Sequence, residues 1–275
     1  MTIHRIVLIL WAAGLTLVPA ASASHLAMPE SALFHNGKIY VSLIGDPEDN
    51  DGAVVTIDSA GKVTGTLVRA SGVKRLVDPT GMVVTGSTLW VNDVTRIRSY
   101  DVRTGAAGRV VAIPRSVFIN DLAADRRGNL WASDSETRSL YRVSRAGSVR
   151  RFRLPASFRG LPNGVALHPS GDIWFVTFNE EAVGGAQVGR VSPAGAFSEV
   201  TSSPRLRQLD GLAFVGRTAY ISDFGNGSIW KLSANGTLTR RAVVTGSPAD
   251  ISYAPALKRL LIPLIQRGHF TTLKP

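Results

Sequence analysis

One segment type is written six times along the chain, with its copies starting 40 to 50 residues apart. Each copy has a polar head, usually a small residue, a short apolar run, a turn, and then a strand rich in aromatic or β-branched residues. The copies are Glu30-Ser-Ala-Leu-Phe with Ile39-Tyr-Val-Ser42, Thr80-Gly-Met-Val-Val with Leu89-Trp-Val-Asn-Asp93, and Asn120-Asp-Leu-Ala-Ala with Leu130-Trp-Ala-Ser-Asp134. Then come Asn163-Gly-Val-Ala-Leu with Ile173-Trp-Phe-Val176, Asp210-Gly-Leu-Ala-Phe with Ala219-Tyr-Ile-Ser-Asp223, and Asp250-Ile-Ser-Tyr with Leu260-Leu-Ile-Pro263. Further β-prone runs fill each period, such as Ile97 to Val102, Ser139 to Val143 and Ser228 to Leu232, followed by a Gly turn and a fourth run. A fixed period with four strands and no helical spacing is the sequence form of an all-β, six-bladed β-propeller with four-stranded blades. The sixth copy ends early, so its outer strand is either missing or borrowed from residues 24 to 29.

The chain opens with Met1-Thr-Ile-His-Arg5, an apolar stretch from Ile6 to Ala20, and Ala21-Ser22-Ala23, the three parts of a cleavable signal peptide. The stretch is short for a membrane anchor and carries Pro19 near its end. The expected division is therefore 1–23 as signal and 24–275 as one propeller domain, exported to the periplasm or secreted, without stable membrane insertion. With no cysteine, disulfides, thiolate metal sites and a cysteine nucleophile are excluded, so a metal would need oxygen or imidazole ligands. The net charge of +11 is mostly arginine scattered over turns and alternating strand positions, which reads as a solvated surface and not as a nucleic-acid groove. No Gly-x-Ser-x-Gly elbow or phosphate loop is present. A monomer is expected.

In a propeller the first strand of each blade lines the axial channel, so the heads of the repeat form a ring: Glu30, Thr80, Asn120, Asn163, Asp210 and Asp250. Blades need no such residues for packing. Three carboxylates and two carboxamides around one axis make an oxygen cage suited to a hard divalent cation. Turn-forming and loop-capping roles for the same residues are the structural alternative. Asp93, Asp134 and Asp223, which end second strands, are expected to bond loop amides.

Phe118-Ile-Asn-Asp-Leu-Ala123 with Gly128-Asn-Leu-Trp131, Leu161-Pro-Asn-Gly-Val-Ala166 and Leu209-Asp-Gly-Leu-Ala213 resemble blocks of the gluconolactonase, senescence-marker-protein (regucalcin) and luciferin-regenerating-enzyme superfamily. The resemblance runs from residue 29 to about 265, and it implies one axial divalent ion, Ca²⁺, Mg²⁺ or Zn²⁺, held by Glu30, Asn163 and Asp210. It further implies that Asn120 contacts substrate or a metal-bound water, and that Asp210 acts as general base in opening a lactone. Sugar-lactone hydrolases of the superfamily tend to carry Arg where this chain has Phe118, so a more apolar lactone or small ester touching Phe118 and Asn120, or no substrate at all, fits this chain better than a sugar lactone. Two other functions fit the residues: a non-catalytic propeller binding a ligand or protein, and a lyase of the streptogramin-lyase type using His269.

Overall fold

The computed structural model describes residues 25–46, 49–69, 76–181 and 184–275; the expected signal peptide, 1–23, lies outside the described residues. Among the described residues the chain forms six antiparallel sheets in sequence order. Blade 1 holds β1 (Pro29–His35), β2 (Lys38–Leu43), β3 (Ala53–Ile57) and β4 (Val63–Val68). Blade 2 holds β5 (Pro79–Thr85), β6 (Thr88–Asp93), β7 (Arg96–Asp101) and β8 (Ala107–Ala112). Blade 3 holds β9 (Ile119–Ala124), β10 (Leu130–Asp134), β11 (Ser139–Val143) and β12 (Val149–Arg153). Blade 4 follows with β13 (Leu161–Leu167), β14 (Ile173–Phe178), β15 (Ala186–Val191) and β16 (Phe197–Ser203). Blade 5 has β17 (Leu209–Val215), β18 (Thr218–Asp223), β19 (Ser228–Leu232) and β20 (Leu238–Val243). The sixth sheet has three strands, β21 (Ser252–Ala254), β22 (Arg259–Leu264) and β23 (His269–Leu273).

Strand order within each blade is the order of the chain, and the first strands of successive blades touch one another around the axis. The apolar core divides into six clusters, one in each gap between neighbouring blades. Both faces of an inner sheet are therefore covered, which is why second strands such as Leu130–Asp134 are buried throughout and read as nearly unbroken apolar runs. Outer strands cover nothing on one side. β8, β12 and β20 are largely exposed and carry Arg109, Arg150, Arg151, Arg153, Arg240 and Arg241, charges that discourage edge-to-edge pairing.

The ring closes between blades 6 and 1 without a borrowed strand among the described residues. Residues 25–28 instead stitch the two blades together: the Leu26 amide donates to the Gly268 carbonyl at 2.8 Å, while Met28 and Ala27 carbonyls accept from Ile44 and Gly45 at 3.0 and 3.1 Å. Leu26 is fully buried in the gap. On the axis, the Asp250 amide donates to the Glu30 carbonyl at 3.0 Å and the Ser31 hydroxyl to the Asp250 carboxyl at 2.6 Å.

Each of the first five inner strands begins with a register shift against its neighbour, at Pro29/Ala32, Pro79/Met82, Ala132/Asp134, Pro162/Val165 and Leu209/Leu212. Such bulges bend a strand and re-aim side chains. They fall on the polar heads of the repeat, and this local irregularity is what points those heads inward. Second-strand hydroxyls hold the bulge in three blades: Ser42, Ser133 and Ser222 oxygens accept the amides of Ser31, Asp121 and Gly211 at 3.0, 3.0 and 2.7 Å. The carboxylates that end second strands take the loop amides before the bulge, Asp93 from Val77 at 2.7 Å, Asp134 from Val117 at 3.0 Å and Asp223 from Arg207 at 3.2 Å.

Candidate metal and substrate site

The bulges arrange the axis in two layers. In the upper layer Glu30, Thr80, Asn120, Asn163 and Asp210 line one cavity of about 860 Å³, and Ala249 lines it from the sixth blade. Asp250, expected in this ring, sits one residue deeper; Ala249 has the position at the cavity because blade 6 enters its short strand only at Ser252. The lower layer is Ser31, Gly81, Asp121, Gly164, Gly211 and Asp250. A Cβ on Gly81 would strike Asp121, one on Gly164 the Asp210 carbonyl, and one on Gly211 the backbone of Asp250 and Ile251. The glycines of the repeat are thus there for close approach of neighbouring inner strands, and the space they leave admits two acid side chains.

Those two acids come from blades 3 and 6, opposite members of a six-membered ring, and their carboxyl groups are hydrogen-bonded to each other. The Asp121 carboxylate also accepts the amides of Val165 and Leu122 at 2.5 and 2.6 Å. It thereby ties blade 3 to the strand that carries Asn163. The repeat does not single out Asp121 as an axial residue: Asn120-Asp121 reads as one block, and which of two adjacent residues faces the axis depends on the bulge.

Burial dominates the electrostatics. Glu30, Asn163 and Asp210 expose 5, 5 and 8% of their surface, Asp121 2%. Desolvation, then repulsion from Asp250, Asp210 and Asp121, holds the Glu30 carboxyl well above the usual range. Asp250 is raised in the same direction, by burial first and Asp121 second. Asp210 is pushed up to about 8 by burial, then by Asp121 and Asp223, and Asp121 to about 6, where amide hydrogen bonds oppose its desolvation. These four acids resist ionising together unless a positive charge joins them.

Three side-chain oxygens at the cavity are buried without a hydrogen-bond partner among the described residues: Glu30 Oε2, Asn120 Oδ1 and Asn163 Oδ1. The two amide oxygens are acceptors, and Glu30 Oε2 is one in the ionised form of its carboxyl. Buried acceptors left open call for a donor or a cation. Among the described residues no group of three or more His, Asp or Glu side chains comes together as a metal cluster, so a cation here would take amide oxygen beside the carboxylates of Glu30 and Asp210. Carboxylate and amide oxygen are the ligands hard divalent cations prefer. The Thr80 hydroxyl is occupied, donating to the Ile119 carbonyl at 3.1 Å.

Above the polar floor the wall is apolar and aromatic. Phe118 lines it as expected, joined by Phe178 at the end of β14 and Phe224 just after β18, whose rings lie 6.0 Å apart. Phe178 and Phe224 carry no signal in the sequence because they stand at the last residue of β14 and just past β18, beyond the part of the repeat that fixes register. His269 is exposed at the start of β23 and is not among the residues lining the cavity.

No family model and no curated protein matches the chain. Solved structures do. A gluconolactonase from Xanthomonas campestris aligns with a TM-score of 0.70 at 17% identity, over 91% of this chain and 86% of that one. A catalytically inactive virginiamycin B lyase from Staphylococcus aureus with quinupristin aligns at 0.65 and 15%, over 94% and 83%. A chain of the nidogen/laminin complex aligns at 0.62 and 12%, over 82% and 90%. At such identities the likeness is one of fold, and the resemblance drawn from the sequence holds at that level: this chain is a six-bladed β-propeller, with the architecture of gluconolactonase and of streptogramin B lyase.

Proposed function

We propose that this propeller is an exported, metal-dependent hydrolase that opens a lactone or small ester in its axial cavity. The observation that carries the reading is the set of buried, unpartnered oxygens, Glu30 Oε2, Asn163 Oδ1 and Asn120 Oδ1, on residues that line the same cavity as Asp210. Glu30, Asn163 and Asp210 would hold one divalent ion, Ca²⁺, Mg²⁺ or Zn²⁺. Bound there, such an ion polarises an ester carbonyl, lowers the pKa of a coordinated water and favours the ionised form of the neighbouring carboxyls.

The chain's own groups divide the remaining work. Phe118 packs on the apolar part of the substrate, and the Asn120 amide orients its ester group or the attacking water. Asp210 takes a proton from that water as its oxygen bonds to the acyl carbon, and returns it to the leaving oxygen as the acyl C–O bond breaks. Asp121, one layer down, is a positioning residue that fixes the Asn163 strand through the Val165 amide. The lyase alternative names His269, which is exposed and is not among the residues lining the cavity.

Asp210→Asn preserves size and removes the base. It is expected to lower turnover of any accepted lactone or ester by at least ~100-fold with an unchanged β-sheet circular dichroism spectrum. Full activity in a folded Asp210→Asn protein would refute the assignment.

A further inference from the structure

The chain carries 31 Lys and Arg against 20 Asp and Glu, yet the described residues that line the cavity include five carboxylates and neither Lys nor Arg. Two of the five, Glu30 and Asp210, belong to the buried floor. The other three, Asp46, Asp51 and Glu180, are exposed at the mouth. They come from the connection after β2 in blade 1 and from that after β14 in blade 4, opposite positions in the ring, so negative charge flanks the entrance on both sides. Between floor and mouth stand the rings of Phe118, Phe178 and Phe224, with Phe178 two residues before Glu180.

From this arrangement we propose that the substrate is a hydrophobic cation: an ester or lactone whose apolar frame bears an ammonium group. The word ester rests on the hydrolase reading above; the charge rests on the cavity itself. Aromatic faces attract ammonium groups, most strongly where water is excluded. A mouth of one sign in a low-dielectric wall raises the local concentration of the opposite charge and speeds its entry. An anionic sugar acid or phosphate ester would meet like charge at the rim, from Asp46, Asp51 and Glu180.

The same polarity suits the product side. Hydrolysis bonds the water oxygen to the acyl carbon, breaks the acyl C–O bond and gives an alcohol and an acid. The acid releases its proton to solvent, and the carboxylate so formed is repelled by Asp46, Asp51 and Glu180.

Three probes of one shape separate the cases: benzyltrimethylammonium, its uncharged isostere neopentylbenzene, and benzylsulfonate. Calorimetric titration of the purified protein is expected to rank them cation, neutral, anion, with the cation at least about tenfold tighter than the neutral compound at low salt. High salt should narrow that gap. Glu180→Gln combined with Asp51→Asn should weaken the cation about tenfold and leave the neutral probe unchanged. Absence of cation binding, equal binding of cation and neutral probe, or a preference for the sulfonate would overturn the proposal, and the salt series on the native chain decides the matter even if the variants fold poorly. A matched set of cationic, neutral and anionic esters then separates the two readings. Turnover without charge preference defeats the cation and spares the hydrolase, whereas charge-ranked binding without turnover of any ester defeats the hydrolase and spares the cation.

Discussion

Gly164 has no side chain because the Asp210 carbonyl stands where its Cβ would be. Replacing it with Ala forces apart two inner strands that each carry a site residue. Overpacking of this kind costs about 1–3 kcal/mol, so Gly164→Ala should lower the urea midpoint and weaken metal retention together; a normal midpoint would contradict the close-approach argument. The acids beside it make stability depend on pH in an unusual sense. Asp210 and Asp121 move from the ordinary 3.8 to about 8 and about 6 on folding, so between these values the folded chain binds more protons than the unfolded one. Stability then is full below the unfolded pKa and declines as pH rises through the folded values. Chelator-treated protein should accordingly unfold at lower denaturant near pH 8 than near pH 5, and added Ca²⁺ should narrow the difference. A midpoint that rises with pH in the chelated protein would show the acids to be ionised without help.

At the scale of elements, most strands are legible in the sequence because blades buried on both faces leave apolar runs at regular spacing, and Trp131, Phe175 and Ile221 sit in such runs. The bulges are not legible. A slip of one residue turns a side chain from one face to the other, and nothing in Asn120-Asp121 or Ala249-Asp250 says which member faces the cavity. Hence the repeat places Glu30, Asn120, Asn163 and Asp210 at the cavity, passes over Asp121 and sets Asp250 one layer too high. The sixth blade is the other element that pattern leaves open. Its three strands are closed by the segment 25–28, whose buried anchor is Leu26. Leu26→Ala should cost about 2–5 kcal/mol, far more than Leu257→Ala at a partly exposed position, in paired urea melts. Equal effects would mean that the segment does not fasten the ring.

At the scale of the whole molecule, the charge on the outer strands differs from that lining the cavity among the described residues. Arginine is prominent on outer strands β8, β12 and β20, while the described residues lining the axial cavity include five carboxylates and neither Lys nor Arg. A ring of blades with a buried, acidic, acceptor-rich centre is most simply completed by a cation. The direct measurement is the metal content of the purified protein by elemental mass spectrometry, with thermal melts in the presence and absence of chelator, for the native chain and Asp210→Asn. The expected result is about one divalent ion per chain, a melting temperature lowered by chelator, and loss of both in the variant. A protein that holds no ion after exposure to Ca²⁺, Mg²⁺ and Zn²⁺, and melts alike with and without chelator, would contradict the metal site and leave the axial acids as internal packing of a binding propeller.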